Sequence, residues 1–143
     1  MTVQRPRIVN VAFWLVLVGA VLLLAGGLLG VSTAFSTPRA AFGDQYADGD
    51  VRNILVLHGG IGVLCLAVGF ALSFLAGRAR HGDARFRRAL VWLAVAIVVL
   101  IFLLALLAPF SIELPALFGV VPVALGATLF MRPGAQDWFE DVA

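Results

Sequence analysis

The sequence predicts an all-α protein, a four-transmembrane-helix bundle with both termini on the cytoplasmic side. Three observations predict it. The 143 residues are 62% hydrophobic and 13% charged, with a mean hydropathy of +1.06, against about 45–50% apolar and about 25% charged in soluble domains. One small core cannot hide so much apolar surface, and lipid is the natural solvent for the excess. Four apolar runs, about 8–31, 53–76, 89–108 and 112–131, each match the ~20 helical residues that cross a hydrocarbon layer of about 30 Å. The arginines are lopsided: Arg5, Arg7, Arg78, Arg80, Arg85, Arg87, Arg88 and Arg132 would share one side of the membrane, and Arg39 and Arg52 the other. That asymmetry places the first set in the cytoplasm. The whole chain reads as a single membrane domain.

The first run follows Arg5 and Arg7 and ends near Ser32-Thr33-Ala34, which resembles a signal-cleavage site. Its apolar core is longer than the ~7–15 residues of a signal h-region, so it is read as an uncleaved first helix. The outer loop, 32–52, contains "DQYADGD", whose acid spacing does not match an EF-hand calcium loop. It reads as a solvated turn. Asp50 is a candidate cap for the second helix. The loop 77–88 holds Arg78, Arg80, Arg85, Arg87 and Arg88, expected to fix topology and to meet anionic lipid headgroups at ~1 kcal/mol per arginine. Pro109 ends the third helix, Ser111 is a candidate cap for the fourth, and Pro115 falls in its first turn. Pro122 should kink that helix. Residues 132–143 form a cytoplasmic tail. Trp14, Trp92, Trp138 and Phe86 lie near the cytoplasmic ends, as interfacial aromatics do.

Small residues recur at helical spacing. Alternating steps of four and three give His58, Gly62, Cys65, Gly69, Leu72 and Ala76 in the second helix, and Pro115, Gly119, Pro122 and Gly126 in the fourth. In the first helix they give Ala12, Val16, Gly19, Leu23, Gly26 and Gly30. Such stripes let backbones touch where lipid supplies no hydrophobic drive between helices. The third helix is bulkier and is expected to be the most lipid-exposed.

His58 stands at the outer end of one stripe. Its leading reading is an interhelical hydrogen bond, worth ~0.6 kcal/mol and rarely above ~2. A proton-linked or ligand-sensing role comes second, and metal or haem ligation third. Haem would want a second histidine, but His81 lies 23 residues on, ~35 Å along a helix. Zinc wants three or four ligands, and this level offers His58 and Glu113. Glu113 is expected either to complement the N-terminal dipole of the fourth helix or to pair with His58 if the second and fourth helices are neighbours, with Arg52 as a competitor.

Other chemistry is thinly supplied. The lone Cys65 excludes an internal disulfide and a CxxC redox pair. The glycine-rich "AGGLLG" follows no strand, so it is no phosphate cradle. Small four-helix multidrug exporters carry a glutamate in the first helix, and this first helix has none. No nucleophile–base pair is visible, and the arginines adjoin apolar spans rather than forming a nucleic-acid face. The expectation is therefore no catalytic centre, no metal, no cofactor and no nucleic acid.

The segment "RPRIVNVAFWLVLVGAVLLLAGGLLG", residues 5–30, resembles the start of small four-helix actinobacterial integral membrane proteins of unknown function. The resemblance implies a cell-membrane location and a high-GC source, and carries no catalytic residues. Some proteins of that kind are accessory subunits of larger membrane assemblies, including respiratory ones. The expected function is a non-enzymatic membrane protein in the lipid bilayer, a structural or accessory subunit packing with itself or with other membrane subunits. The alternative is a small oligomeric transporter or channel using His58 and Glu113.

Overall fold

The structure is a computed structural model that describes residues 6–107 and 112–142. It is all-α. Helix α1 spans Arg7–Ser36, α2 Asp48–Ala79, α3 Ala84–Leu107, α4 Leu114–Phe130 and α5 Pro133–Val142, with a short 3-10 turn at Arg39–Phe42. Helices α1, α2 and α3 are each long and apolar enough to cross a membrane, and α4 counts as a fourth span when joined to α5, from which it bends by 64°. These dimensions are compatible with a multi-pass membrane protein.

Helices α1, α2 and α3 outrun the apolar stretches that predicted them, while α4 stays within its own. Helix α1 continues past 31 to Ser36, and α2 starts at Asp48 rather than near 53. Hydropathy marks only the part of a helix that suits oil, whereas backbone hydrogen bonding continues through Ser, Thr and Asp. Helix α1 stops where Thr37 turns extended and both its N–H and its hydroxyl donate to the Thr33 carbonyl, at 3.1 and 2.7 Å. Pro38 follows and cannot extend the ladder. The outer loop thereby shrinks to residues 37–47. Arg39 organises it, donating from Nε to Asp48 at 2.7 Å, from Nη1 to the Gly43 carbonyl at 2.9 Å, and to the Tyr46 carbonyl.

The arginine-rich loop contracts further. Arg78 belongs to α2, and Arg85, Arg87 and Arg88 belong to α3. The turn between them needs Gly82, whose φ of 93° lies where a Cβ would clash. Asp83 then caps α3, its side chain accepting from the Arg85 N–H at 3.0 Å.

Other residues than the expected Asp50 and Ser111 take the cap positions of α2 and α4. Asp50 lies in the first turn of α2, and Ala47 takes the cap position. Glu113 occupies the cap position of α4, with Pro115 in the first turn as expected; Pro109 and Ser111 lie outside the described residues. Helix α4 continues through Pro122 as one helix.

Helix α1 is the spine. It packs extensively against α2 and α4, while α3 packs less extensively against the same two helices. The ring order is therefore α1, α2, α3, α4, with α2 and α4 across a diagonal. Both α1 seams are backbone contacts. A Cβ at Gly19 would lie 2.6 Å from the Gly119 carbonyl oxygen, and one at Gly26 would lie 2.5 Å from Ala116 N. On the other seam, a Cβ at Gly62 would lie 2.7 Å from Val31 N. Gly126 closes on the Ala12 carbonyl and Gly69 on that of Ala20.

The first-helix stripe divides between neighbours. Gly19 and Gly26 face α4, whereas Gly30 faces Gly62 of α2, joined by Gly27, which the stripe omitted. At 3.6 residues per turn a four-residue step turns the helix by about 40°, which carries Gly30 round from Gly26 toward Gly27 and the α2 seam. On α4 the buried positions are Ala116, Gly119, Val123, Gly126, Ala127 and Phe130, so the two prolines lie one residue beside the seam.

The tail is helical rather than extended. Ala135, Trp138 and Phe139 of α5, spaced by three and four, are buried, with Phe139 packed 6.3 Å from Phe130. Trp138 is 7% exposed, so it belongs to the core; Trp14 and Trp92 face outward, as expected of interfacial aromatics.

Candidate functional site

The polar side chains that meet between helices gather at the end where α1 finishes and α4 begins. Three segments bring them there. The α1–α2 seam runs antiparallel from Gly69 beside Ala20 to Gly62 beside Gly30, so the next turn of α2 brings His58 level with the last turns of α1. The α1–α4 seam starts at Gly26 and Ala116, which leaves Glu113 one turn beyond, beside Thr33.

His58 Nε2 lies 3.0 Å from Glu113 Oε1, and Thr33 Oγ1 donates to the same oxygen at 3.2 Å. A carboxylate oxygen accepting both bonds requires the imidazole to carry its proton on Nε2. The His58 and Glu113 side chains are 14% and 26% exposed, between interior and surface. One carboxylate thus ties α1, α2 and the first residue before α4, and the pair spans the α2–α4 diagonal because the α1 glycines draw both helices close. Arg52 is not the partner of Glu113; it lines a groove of about 460 Å³ between the C-terminal end of α1 and the N-terminal end of α2, with Val31, Phe35, Val56 and Val63.

Chemically the cluster can hold or exchange one proton between an imidazole and a carboxylate, with a hydroxyl alongside. It supplies two of the three or four ligands that zinc requires, and among the described residues no group of three His, Cys, Asp or Glu side chains gathers for a metal. His81 lies beyond the opposite end of α2. Cys65 is buried in the α2 stripe and is not in a disulfide.

Thr33 is the member of this cluster that the sequence reading missed. Continuing the first-helix steps from Gly26 and Gly30 by three lands on it, but a helix ending at 31 stops the series too early.

The arginines at the other end are distributed rather than pooled. Arg78 lies between the Phe74 and Phe86 rings, 5.6 and 5.7 Å from their centroids, and Arg80 lies 4.7 Å from that of Phe13. Arg87 lies 5.0 Å from the Phe139 ring, while Arg85 and Arg88 are exposed. Flat guanidinium groups over rings suit both cation–π attraction and an interfacial position.

No protein-family model, curated protein or solved structure matches the chain. Function must therefore be argued from these residues.

One further feature bears on it. Between α3 and α4 lies an apolar cleft of about 480 Å³, walled by Val99, Phe102 and Leu103 on one side and Leu117, Phe118 and Val121 on the other. Phe102 and Phe118 are each 63% exposed.

Proposed function

We propose that the protein is a non-enzymatic subunit of the cell membrane, four spans with both termini in the cytoplasm, that packs with itself or with a larger membrane complex. The arginine asymmetry supports the orientation. The α3–α4 cleft carries the partner reading. In lipid, helices associate through close packing of small residues and interhelical polar bonds. Both α1 seams use that device, and the α3–α4 seam does not: it is lined by bulky side chains that leave a slot between the second half of α3 and the first turns of α4. A slot of this shape accepts the side chains of another transmembrane helix.

The sealed seams argue in the same direction. No polar or charged residue is buried among the described residues, and the α1 interfaces leave no room for a hydrated route within one chain. A second reading, a small oligomeric transporter or channel, is favoured by the His58–Glu113–Thr33 cluster, which would then sit beside a path formed between copies.

Gentle detergent extraction from the native membrane, followed by identification of co-purifying chains, tests the proposal. A stoichiometric membrane partner, or a homo-oligomer that conducts nothing when reconstituted, supports it. A monomer without partners would overturn it, and proton-coupled flux abolished by His58→Ala would favour the second reading.

A further inference from the structure

The arginine-rich end holds a second polar feature that the packing role does not use. Helix α5 folds back from α4 and brings Gln136 against the first turns of α3, where Arg87 and Arg88 lie. Between them is a cavity of about 220 Å³ whose rim is formed by Arg87, Arg88 and Gln136 and whose floor and wall are Val91, Phe130 and Trp92.

Among the described residues, the cationic side of this cavity has no anionic counterpart. Arg87 Nη1 is buried and has no hydrogen-bond partner among the described residues, although a guanidinium carries five donors and a fixed charge. The Phe139 ring at 5.0 Å meets the guanidinium but accepts no ordinary hydrogen bond. Arg88 beside it is exposed, and the first turns of α3 add the positive end of a helix dipole. Among the described residues, no carboxylate lines the cavity. Arg39, at the other end of the molecule, has Asp48 and two carbonyls for the same donors. Gln136 is itself held in place, donating to the Met131 carbonyl at 2.7 Å.

The ligand must therefore be anionic, able to take several N–H donors, and small where it enters. A phosphate group meets all three conditions. The cavity is smaller than the roughly 300–1,000 Å³ of sites that enclose a whole drug-sized ligand, so the rest of the ligand must lie outside it. Of its lining residues, Trp92 and Met131 are 73% and 54% exposed, an apolar border of the kind found at headgroup level.

We propose that this cavity binds the phosphodiester of an anionic phospholipid, with Arg87 and Arg88 on the phosphate oxygens and the acyl chains running along Val91 and Trp92. The same phosphate chemistry could be met by the free ion, and the apolar border selects the lipid. The assignment is independent of what occupies the α3–α4 cleft.

Native mass spectrometry of the intact protein released from detergent tests this, with phosphatidylglycerol, phosphatidylcholine and inorganic phosphate as probes. One phosphatidylglycerol should be retained, with phosphatidylcholine at least about fivefold weaker and inorganic phosphate not displacing it at equal concentration. Arg88→Gln, a change at an exposed position that spares the fold, should weaken phosphatidylglycerol binding about fivefold, the expectation for one interfacial arginine. Arg87→Gln should weaken it at least as much. Arg85→Gln, exposed and off the cavity, should leave binding within about twofold. Equal retention of the two lipids, equal effects of Arg85→Gln and Arg88→Gln, or displacement by inorganic phosphate at equal concentration would each overturn the proposal.

Discussion

One Glu113 oxygen is within hydrogen-bond distance of side chains from two helices, so removing it leaves an imidazole and a hydroxyl between interior and surface without their shared partner. Interhelical polar bonds in membrane proteins average ~0.6 kcal/mol and reach about 1.7. A double-mutant cycle of His58→Ala with Glu113→Gln, read as thermal stability, should therefore show coupling of about 0.5–2 kcal/mol. Strict additivity would remove the direct contact. Thr33→Val should couple to Glu113→Gln and only weakly to His58→Ala, because the hydroxyl and the imidazole share an acceptor rather than a bond. The polar cluster was partly legible in the sequence, since His58 and Glu113 are the polar residues at the ends of two small-residue stripes. Thr33 was not, because nothing in local hydropathy says that α1 continues through Ser32 and Thr33.

Seams, stripes and ends belong to the scale of the helix. Gly62 and Gly60 lie two residues apart on α2 and should respond oppositely to substitution. A side chain at Gly62 meets Val31 N and the Gly27 carbonyl, whereas nothing lies within 4 Å of a Cβ at Gly60. Gly62→Leu or Gly26→Leu should therefore destabilise the bundle by at least the ~1–3 kcal/mol of overpacking. Gly60→Ala should stabilise it by about 0.4–1 kcal/mol through the unfolded chain. Val98→Leu in α3 should be mild. Thermal-aggregation midpoints of the four variants check the order. The seams could be read from spacing alone because glycine at steps of four and three has few other uses in a membrane helix. Which neighbour each glycine meets could not, since a linear stripe does not reveal where the helix drifts from one partner to the next. Helix α5 was missed as well: its Ala135, Trp138 and Phe139 pattern is too short to stand apart from a polar tail, and the helix is held by packing on Phe130.

For the whole molecule, the arginine asymmetry sets the expected orientation. On a Cys65→Ala background, Ala47→Cys should be labelled by an impermeant reagent in intact cells, and His81→Cys only after lysis, since both positions are exposed at opposite ends. The reverse pattern would invert the topology. The membrane class was legible from composition because no other solvent accommodates this much oil, and the ring order was not, because four apolar helices of similar length can be arranged in several ways. The assembled ring leaves an apolar slot between α3 and α4, and the central claim is that a polypeptide fills it. A photo-crosslinking residue in place of Phe102, activated in native membranes, measures this most directly, with Val18 on the exposed side of α1 as the control. The account predicts a discrete protein adduct from position 102, either with a second copy or with one partner chain, and lipid adducts alone from position 18. Lipid adducts alone from both positions would contradict it.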